Sequence, residues 1–258
     1  MIRVAAVGDV HAGTDSAGRL APKFAHVSEH ADVLLLAGDL TRTGRREEAA
    51  VLAAELHCVG VPVIAVLGNH DYHSECEGHV RFELEETGIT VLEGESVVVD
   101  VHGEQLGVAG VKGFGGGFAG ACGSEFGEPE MKRYIRHTRE IAQQLTAALT
   151  VLSTDITVAL MHYSPVPDTL VGERLEIYPF LGSYLLAEAV DAAGADLVIH
   201  GHAHGGTEKG RTPGGVHVRN VALPVLRKAY AVYRLGGAAR LSTPGPLAAE
   251  LSAAGVGR

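Results

Sequence analysis

Five stretches of the chain are apolar without a break, rich in branched side chains, and each runs out onto a polar residue. Residues 4–7 lead through Gly8 to Asp9, with His11 two positions on. Residues 33–37 lead through Gly38 to Asp39, and 63–67 through Gly68 to Asn69-His70-Asp71. Residues 156–161 end directly on His162, and 197–199 on His200-Gly201-His202-Ala203-His204. Short unbroken apolar runs of this kind predict strands buried on both faces. A polar head group at the end of such a strand is held on the tip of a rigid element, where α/β proteins place their chemistry.

The segments between the runs carry helical spacing. Helices are predicted over 20–30, over 45–59 with Ala49, Leu52, Ala53 and Leu56 on one face, and over 75–87 with Val80 and Leu84 four apart. The order strand-helix, three times over, predicts a parallel sheet covered by helices. Residues 96–101 and 105–111 flank His102-Gly103-Glu104 and predict a hairpin, hence a mixed sheet. The stretch 113–127 holds seven glycines and no packing period, so a mobile loop is expected there, as a rim over the site or a plain connection. A long helix follows over 130–152. The loop 163–182 contains three prolines, a helix spans 183–193, and 216–218 and 229–235 are read as a final strand pair. From residue 236 the chain is mostly Gly, Ala, Pro and Ser. One domain over 1–235 and a flexible tail over 236–258 are therefore expected.

Composition narrows the function classes. At 258 residues and 46% hydrophobic, the chain can fill a large core, and no apolar run approaches the roughly 18 residues of a membrane span. The first strand starts at Ile2, so no leader is expected, and three cysteines without a CxxC pair suit a reducing cytoplasm. The net charge of −10 repels long nucleic acid, while a small anion could still be held by local basic groups. Fourteen histidines direct attention to metals.

Taken together, the strand-end residues Asp9, His11, Asp39, Asn69, His162, His202 and His204 offer two carboxylates, an amide oxygen and four imidazoles. Such a mixed set suits manganese, iron, zinc or nickel better than calcium or copper(I). Seven ligands exceed what one zinc takes and suit two ions sharing a carboxylate. Two ions about 3.5–4 Å apart acidify water and steady a phosphoryl group.

These motifs, Asp-x-His, Gly-Asp, Gly-Asn-His-Asp, a lone His and Gly-His-x-His, stand in the order found in the calcineurin-like metallophosphoesterases, which the chain resembles over roughly 2–235. The resemblance implies a four-layer α-β-β-α sandwich, two mixed β-sheets flanked by helices. It implies a first ion held by Asp9, His11, Asp39 and His204, and a second by Asp39, Asn69, His162 and His202. It also implies that a metal-bridging hydroxide attacks phosphorus in line, that His70 protonates the leaving oxygen, and that Asp71 orients the His70 ring. The ions would be two divalent or trivalent metals, with manganese, iron and zinc foremost, and the substrate a small-molecule phosphodiester or phosphomonoester. Many members carry Asp where Arg42 stands, a departure that bears on substrate contacts and not on the ligands. The alternative is a non-catalytic scaffold of the same fold, for which loss of the His in Gly-Asn-His-Asp is the usual cue; His70 is intact. A nuclease of the same superfamily would need DNA-binding additions that this acidic chain does not show.

Three other features are read as structural or weak. His200 is expected to face away from the metals. The His26-x-x-Glu29-His30 pattern has no third ligand beside it. Cys122 has no identifiable activating base. Tyr163, Arg174 and His73 lie in loops from which they could reach a substrate.

Overall fold

The computed structural model describes residues 1–236. The tail expected over 236–258 lies, from residue 237 on, outside the described residues. Strands β1 (Ile2–Val7), β2 (Val33–Ala37), β3 (Val63–Val66) and β4 (Thr90–Val91) pair side by side in parallel, and β13 (Ala231–Leu235) adds antiparallel to β1. The second sheet contains β5 (Glu95–Val101), β6 (Glu104–Val111), β9 (Ile156–Met161), β10 (Leu197–His200), β11 (Lys209–Arg211) and β12 (His217–Asn220). Its order is β11-β12-β10-β9-β6-β5, with antiparallel pairs at both edges and parallel pairs between. Both sheets are mixed.

Alternate residues explain why these strands read as unbroken apolar runs. On β1, Ile2, Val4 and Ala6 face the other sheet, while Ala5 and Val7 face helices. On β9, Ile156, Val158 and Leu160 meet the first sheet, while Ala159 and Met161 face outward to the second helical layer. A strand covered on both faces has no position for a polar side chain until it ends. Helices α1 (Ala21–Phe24), α2 (Val27–His30), α3 (Arg46–Leu56) and α4 (Glu77–Glu85) supply the outer layer on the first sheet. Helices α5 (Pro129–Thr150) and α6 (Tyr184–Ala193) supply it on the second. The four layers are therefore helices, sheet, sheet, helices. Among the described residues no helix is long and apolar enough to cross a membrane.

Three expectations are corrected. The helix predicted over 20–30 is two single turns, α1 and α2, with His26 between them out of helical conformation (φ −104°, ψ 13°). The strands near 216–218 and 229–235 do not pair with each other. His217–Asn220 lies beside β10, and Ala231–Leu235 closes the first sheet against β1. The glycine-rich stretch contains a small hairpin, β7 (Gly117–Phe118) with β8 (Ala121–Cys122), and is anchored along its length. The Gly116 N–H donates to the Pro179 carbonyl at 2.7 Å, Gly117 to Gly182 at 2.9 Å, and the Thr138 hydroxyl to Gly115 at 2.6 Å. A Cβ on Gly115 would collide with the Tyr134 hydroxyl, so glycine here serves close backbone approach to α5.

The start of α1 depends on one buried acid. Glu55 on α3 accepts N–H bonds from Gly18, Leu20 and Ala21 at 2.6, 2.7 and 2.8 Å. Those bonds hold its carboxyl below the usual range. Glu55→Gln is expected to lower stability by about 1–2 kcal/mol, measured by urea unfolding. The loss is full above the unfolded-state pKa of about 4.3, and it fades as pH falls through the lower folded value, where the wild-type carboxylate is itself protonated.

Candidate metal centre

Parallel pairing sends the C-terminal ends of β1, β2 and β3 to one edge of the first sheet, and those of β9 and β10 to one edge of the second. The two edges meet, and all seven ligand candidates lie there. Asp9, His11, Asp39 and His204 form one cluster of donor atoms within 4.8 Å of one another; Asp39, His162 and His202 form another. Asn69 joins the second through its Oδ1, 2.9 Å from the His162 Nε2. Asp39 is common to both. Its Oδ1 is 3.3 Å from the His162 Nε2, and its Oδ2 is 3.8 Å from the His11 Nε2. His204 Nε2 is 2.7 Å from Asp9 Oδ1.

The backbone at these loop ends is unusual. Asp9, His11, Asp39 and His202 all have left-handed φ values, 59°, 47°, 50° and 69°. Each costs on the order of 1 kcal/mol or more for a residue with a Cβ. A web of main-chain bonds sustains them: Asp9 N–H to Gly38 O at 2.9 Å, His11 N–H to Asp39 O at 3.0 Å, and His202 N–H to the Asp9 carboxylate at 3.0 Å. The turns aim four side chains inward that an extended chain would have sent to alternate sides.

The motif glycines have a packing reason of their own. A Cβ on Gly38 would run into the His162 ring, one on Gly68 into the backbone nitrogen and Oδ1 of Asp39, and one on Gly201 into the Asp9 carboxylate. Each glycine thus lets a ligand from a different loop approach. Gly68→Ala is expected to displace Asp39 and weaken manganese binding at least about tenfold, in line with the 10–100-fold effects of disturbed supporting groups. Calorimetric titration of the metal-free protein would measure it.

Protonation states fit a cation. Burial drives the His162 ring well below its ordinary pKa and takes His202 down to about 3, so both are neutral near pH 7. The His162 Nδ1–H donates to the Ala37 carbonyl at 2.9 Å. Its Nε2 therefore carries a lone pair, and that lone pair faces the oxygens of Asn69 and Asp39. Three electron-rich atoms with no hydrogen among them are a ligand set for a positive ion. Asp9 makes the same point. Burial, with Asp39 nearby adding to it, pushes its carboxyl up to about 6 despite the His204 bond, and a cation would relieve this. Two ions can be held by these residues, with Asp39 shared.

His70 stands at the rim, its side chain 44% exposed, with Nε2 4.0 Å from Asp39 Oδ2. Its Nδ1–H donates to the Arg42 carbonyl at 2.8 Å. This corrects the expectation for Asp71. The Asp71 carboxylate is buried and does not touch the His70 ring. It accepts from Gly68 N–H at 2.8 Å, Leu40 N–H at 3.1 Å, Thr41 N–H at 2.7 Å and the Thr41 hydroxyl at 2.6 Å. Asp71 is too well used by the backbone to turn toward its neighbour's ring; it clamps the loops after β2 and β3 together. The ring is oriented by Arg42, whose side chain pairs with Asp15 at 2.8 Å while its carbonyl does the positioning. Motif reading looks at side chains and so passes over a carbonyl.

Elsewhere, His200 is buried and bonded to the Gly201 carbonyl and the Thr169 hydroxyl, away from the ligands as expected. Tyr163 stacks near His202, ring centroids 4.4 Å apart. Arg174 is exposed and faces Glu176 at 3.6 Å. His26 contacts Glu29 and His30 contacts the Tyr230 hydroxyl, so the His-x-x-Glu-His segment is ordinary surface.

Comparison with curated protein sequences returns no match. Among solved structures, the phosphopantetheinyl hydrolase of Mycobacterium tuberculosis is similar over 94% of this chain and 98% of its own, at 16% identity and a TM-score of 0.68. A putative 5′-nucleotidase from Staphylococcus aureus covers 85% of this chain and 48% of its own, at 18% identity and a TM-score of 0.54. GAP50, described as the anchor in the inner membrane complex of Plasmodium, covers 86% and 72%, at 12% identity and a TM-score of 0.51. At such identities these likenesses show the shared fold. The family model for calcineurin-like phosphoesterases matches residues 2–206, most of the described chain and every one of the strand-end motifs, and the chain belongs to that family.

Proposed function

We propose that the protein is a metal-dependent phosphoesterase that hydrolyses a small-molecule phosphodiester or phosphomonoester. The observation that carries this reading is the pair of ligand clusters joined at Asp39, with His70 beside them at the open rim. Asp9, His11, Asp39 and His204 would hold one ion, and Asp39, Asn69, His162 and His202 the other. Manganese, iron and zinc all suit these donors. When bound, the ions supply positive charge to the phosphoryl oxygens and acidify water for attack on phosphorus.

The chain's own residues do the rest. Neutral His162 and His202 present ring nitrogens without first having to lose a proton. Arg42 holds His70 by Nδ1, which leaves Nε2 facing the centre; protonated there, His70 gives its proton to the leaving oxygen. Asp71 keeps the loop that carries Asn69 and His70 in register with the loop that carries Asp39. A small substrate fits the net charge of −10, and three free thiols fit a cytoplasmic setting.

The test is hydrolysis of p-nitrophenyl phosphate and bis-p-nitrophenyl phosphate by protein stripped of metal and resupplied with manganese. Metal-dependent turnover of either supports the reading, and the preferred ester decides between monoesterase and diesterase. Two manganese ions bound per chain with no turnover of either ester would favour the non-catalytic scaffold.

A further inference from the structure

Next to Asn69 the metal centre opens into a cavity of about 530 Å³, walled by Tyr72, Phe114, His137 and Tyr163. That volume falls within the roughly 300–1,000 Å³ of small-ligand sites and exceeds what a phosphoryl group alone would fill. Lys112, just past the end of β6, lies against it and is only 8% exposed. Its ammonium is caged by three rings, 4.8 Å from the centroid of Tyr72, 5.1 Å from Phe114 and 5.6 Å from Tyr163.

The cage steadies the charge without using its hydrogens. Ring faces attract a cation through their quadrupole and take up no N–H donor in the ordinary sense. Among the described residues the ammonium makes one hydrogen bond, a long one of 3.5 Å to the Gly113 carbonyl. No carboxylate pairs with it among the described residues. Glu93 shares the cavity and is the main counter-charge, but it does not take up the ammonium's hydrogens: its Oε1 accepts the Lys112 backbone N–H at 3.0 Å and its Oε2 the Tyr72 hydroxyl at 3.2 Å. An ammonium has three donors, so two remain for whatever enters. Burial disfavours the charged ammonium by more than the nearby Glu93 charge offsets, so an anion that takes up its free donors would stabilise it.

The position of Lys112 relates it to the metal centre. Tyr163 touches both, with Nζ 5.6 Å from its ring centroid on one side and the His202 centroid 4.4 Å away on the other. Nζ is therefore within about 10 Å of the His202 ring, inside the span of one small molecule. Lys112 also holds the site through its backbone, since its carbonyl accepts the N–H groups of His162 and Tyr163. That contact survives any change of its side chain.

We propose that this cavity receives the organic part of the substrate, and that Lys112 binds a second anionic group, a phosphoryl or a carboxylate, carried on it. The proposal rests on the phosphoesterase reading and narrows it to esters with two anionic groups. Glu93 and Glu140 also line the cavity, so an anion is accepted only where it reaches the Lys112 ammonium and not throughout.

The experiment compares matched substrates on the manganese-loaded wild type, Lys112→Met and Lys112→Arg. Adenosine 5′-monophosphate against adenosine 3′,5′-bisphosphate adds a phosphoryl group; glycerol 3-phosphate against 3-phosphoglycerate adds a carboxylate. The wild type is expected to favour the doubly anionic member of at least one pair by about 10- to 100-fold in kcat/KM, the scale of a hydrogen bond between charged groups. Which pair shows it identifies the anion. Lys112→Met, which keeps the stem inside the cage, is expected to erase the preference, and Lys112→Arg to keep part of it. Calorimetric binding of the same pairs to manganese-loaded His70→Ala, in which hydrolysis is slowed, is expected to show the same preference, and Lys112→Met in that background is expected to erase it. A wild type that favours neither doubly anionic compound, or a preference that Lys112→Met leaves intact, would overturn the proposal. Turnover of p-nitrophenyl phosphate by the same wild-type sample separates that outcome from failure of the phosphoesterase reading itself.

Discussion

Replacing Asp39 by alanine is expected to lower manganese-dependent hydrolysis of p-nitrophenyl esters by at least about a thousandfold, the rate equivalent of several kcal/mol of lost charge stabilisation. No other side chain belongs to both donor clusters among the described residues. Oδ1 lies beside His162 and also accepts the His70 N–H at 2.8 Å, while Oδ2 faces His11 and the His70 ring. The substitution thus removes a ligand from each ion and a tether from the loop that presents the general acid. Metal analysis after dialysis separates these effects: the wild type is expected to retain two manganese ions per chain, and Asp39→Ala fewer than two. Asp39→Asn keeps the shape and one good oxygen donor, and is expected to fall between them. Full activity in Asp39→Ala would sink the shared-ligand reading.

The second large effect is expected at His70. His70→Ala is expected to lower kcat by about 10²- to 10⁴-fold, the usual contribution of a positioned acid, while two manganese ions stay bound. That combination distinguishes it from any ligand substitution. His70 is held by Arg42 and is not a member of either cluster. The loss is expected to depend on the leaving group. An alkyl phosphate, whose alkoxide needs a proton to depart, is expected to lose more than p-nitrophenyl phosphate, whose phenolate leaves readily without one. Equal losses on both would show that His70 binds the phosphoryl group and does not protonate the leaving oxygen.

The positions of the candidate ligands were legible in the sequence because the physics that buries a strand on both faces also makes its end conspicuous. Asp9, Asp39, Asn69, His162 and His202 each stand at or just beyond the point where an apolar run stops, and parallel pairing of β1, β2 and β3 brings three of those ends together. What the runs do not contain is their assignment to sheets. An apolar strand is equally at home beside β3 or beside β9, and only the family resemblance supplied the second sheet. The same indeterminacy misplaced 229–235, which returns to pair with β1 across more than two hundred residues. The 20–30 segment shows a different limit, because a backbone break at His26 leaves the spacing of Leu20, Phe24 and Val27 intact. Asp71 shows a third. Its neighbour His70 is adjacent in sequence, yet the turn points their side chains apart, and three of the four bonds to Asp71 come from about thirty residues earlier, at Leu40 and Thr41.

The candidate ligands are divided between two separate sheets, bridged at the ligand-bearing edge by the Gly8 N–H donating to the Val221 carbonyl at 2.9 Å. Asp9, His11, Asp39 and Asn69 ride on the first, and His162, His202 and His204 on the second. Away from that edge, apolar side chains, among them Val4, Leu35 and Ile64 against Leu106, Val158 and Ile199, set how the two plates sit on each other. The donor spacing is therefore a gauge of sheet alignment, since metal–ligand distances tolerate only about 0.2 Å. A methyl group removed from that interface, well away from any ligand, changes the alignment that the gauge reads. Metal preference in such a protein can drift through its hydrophobic core while every ligand stays in place.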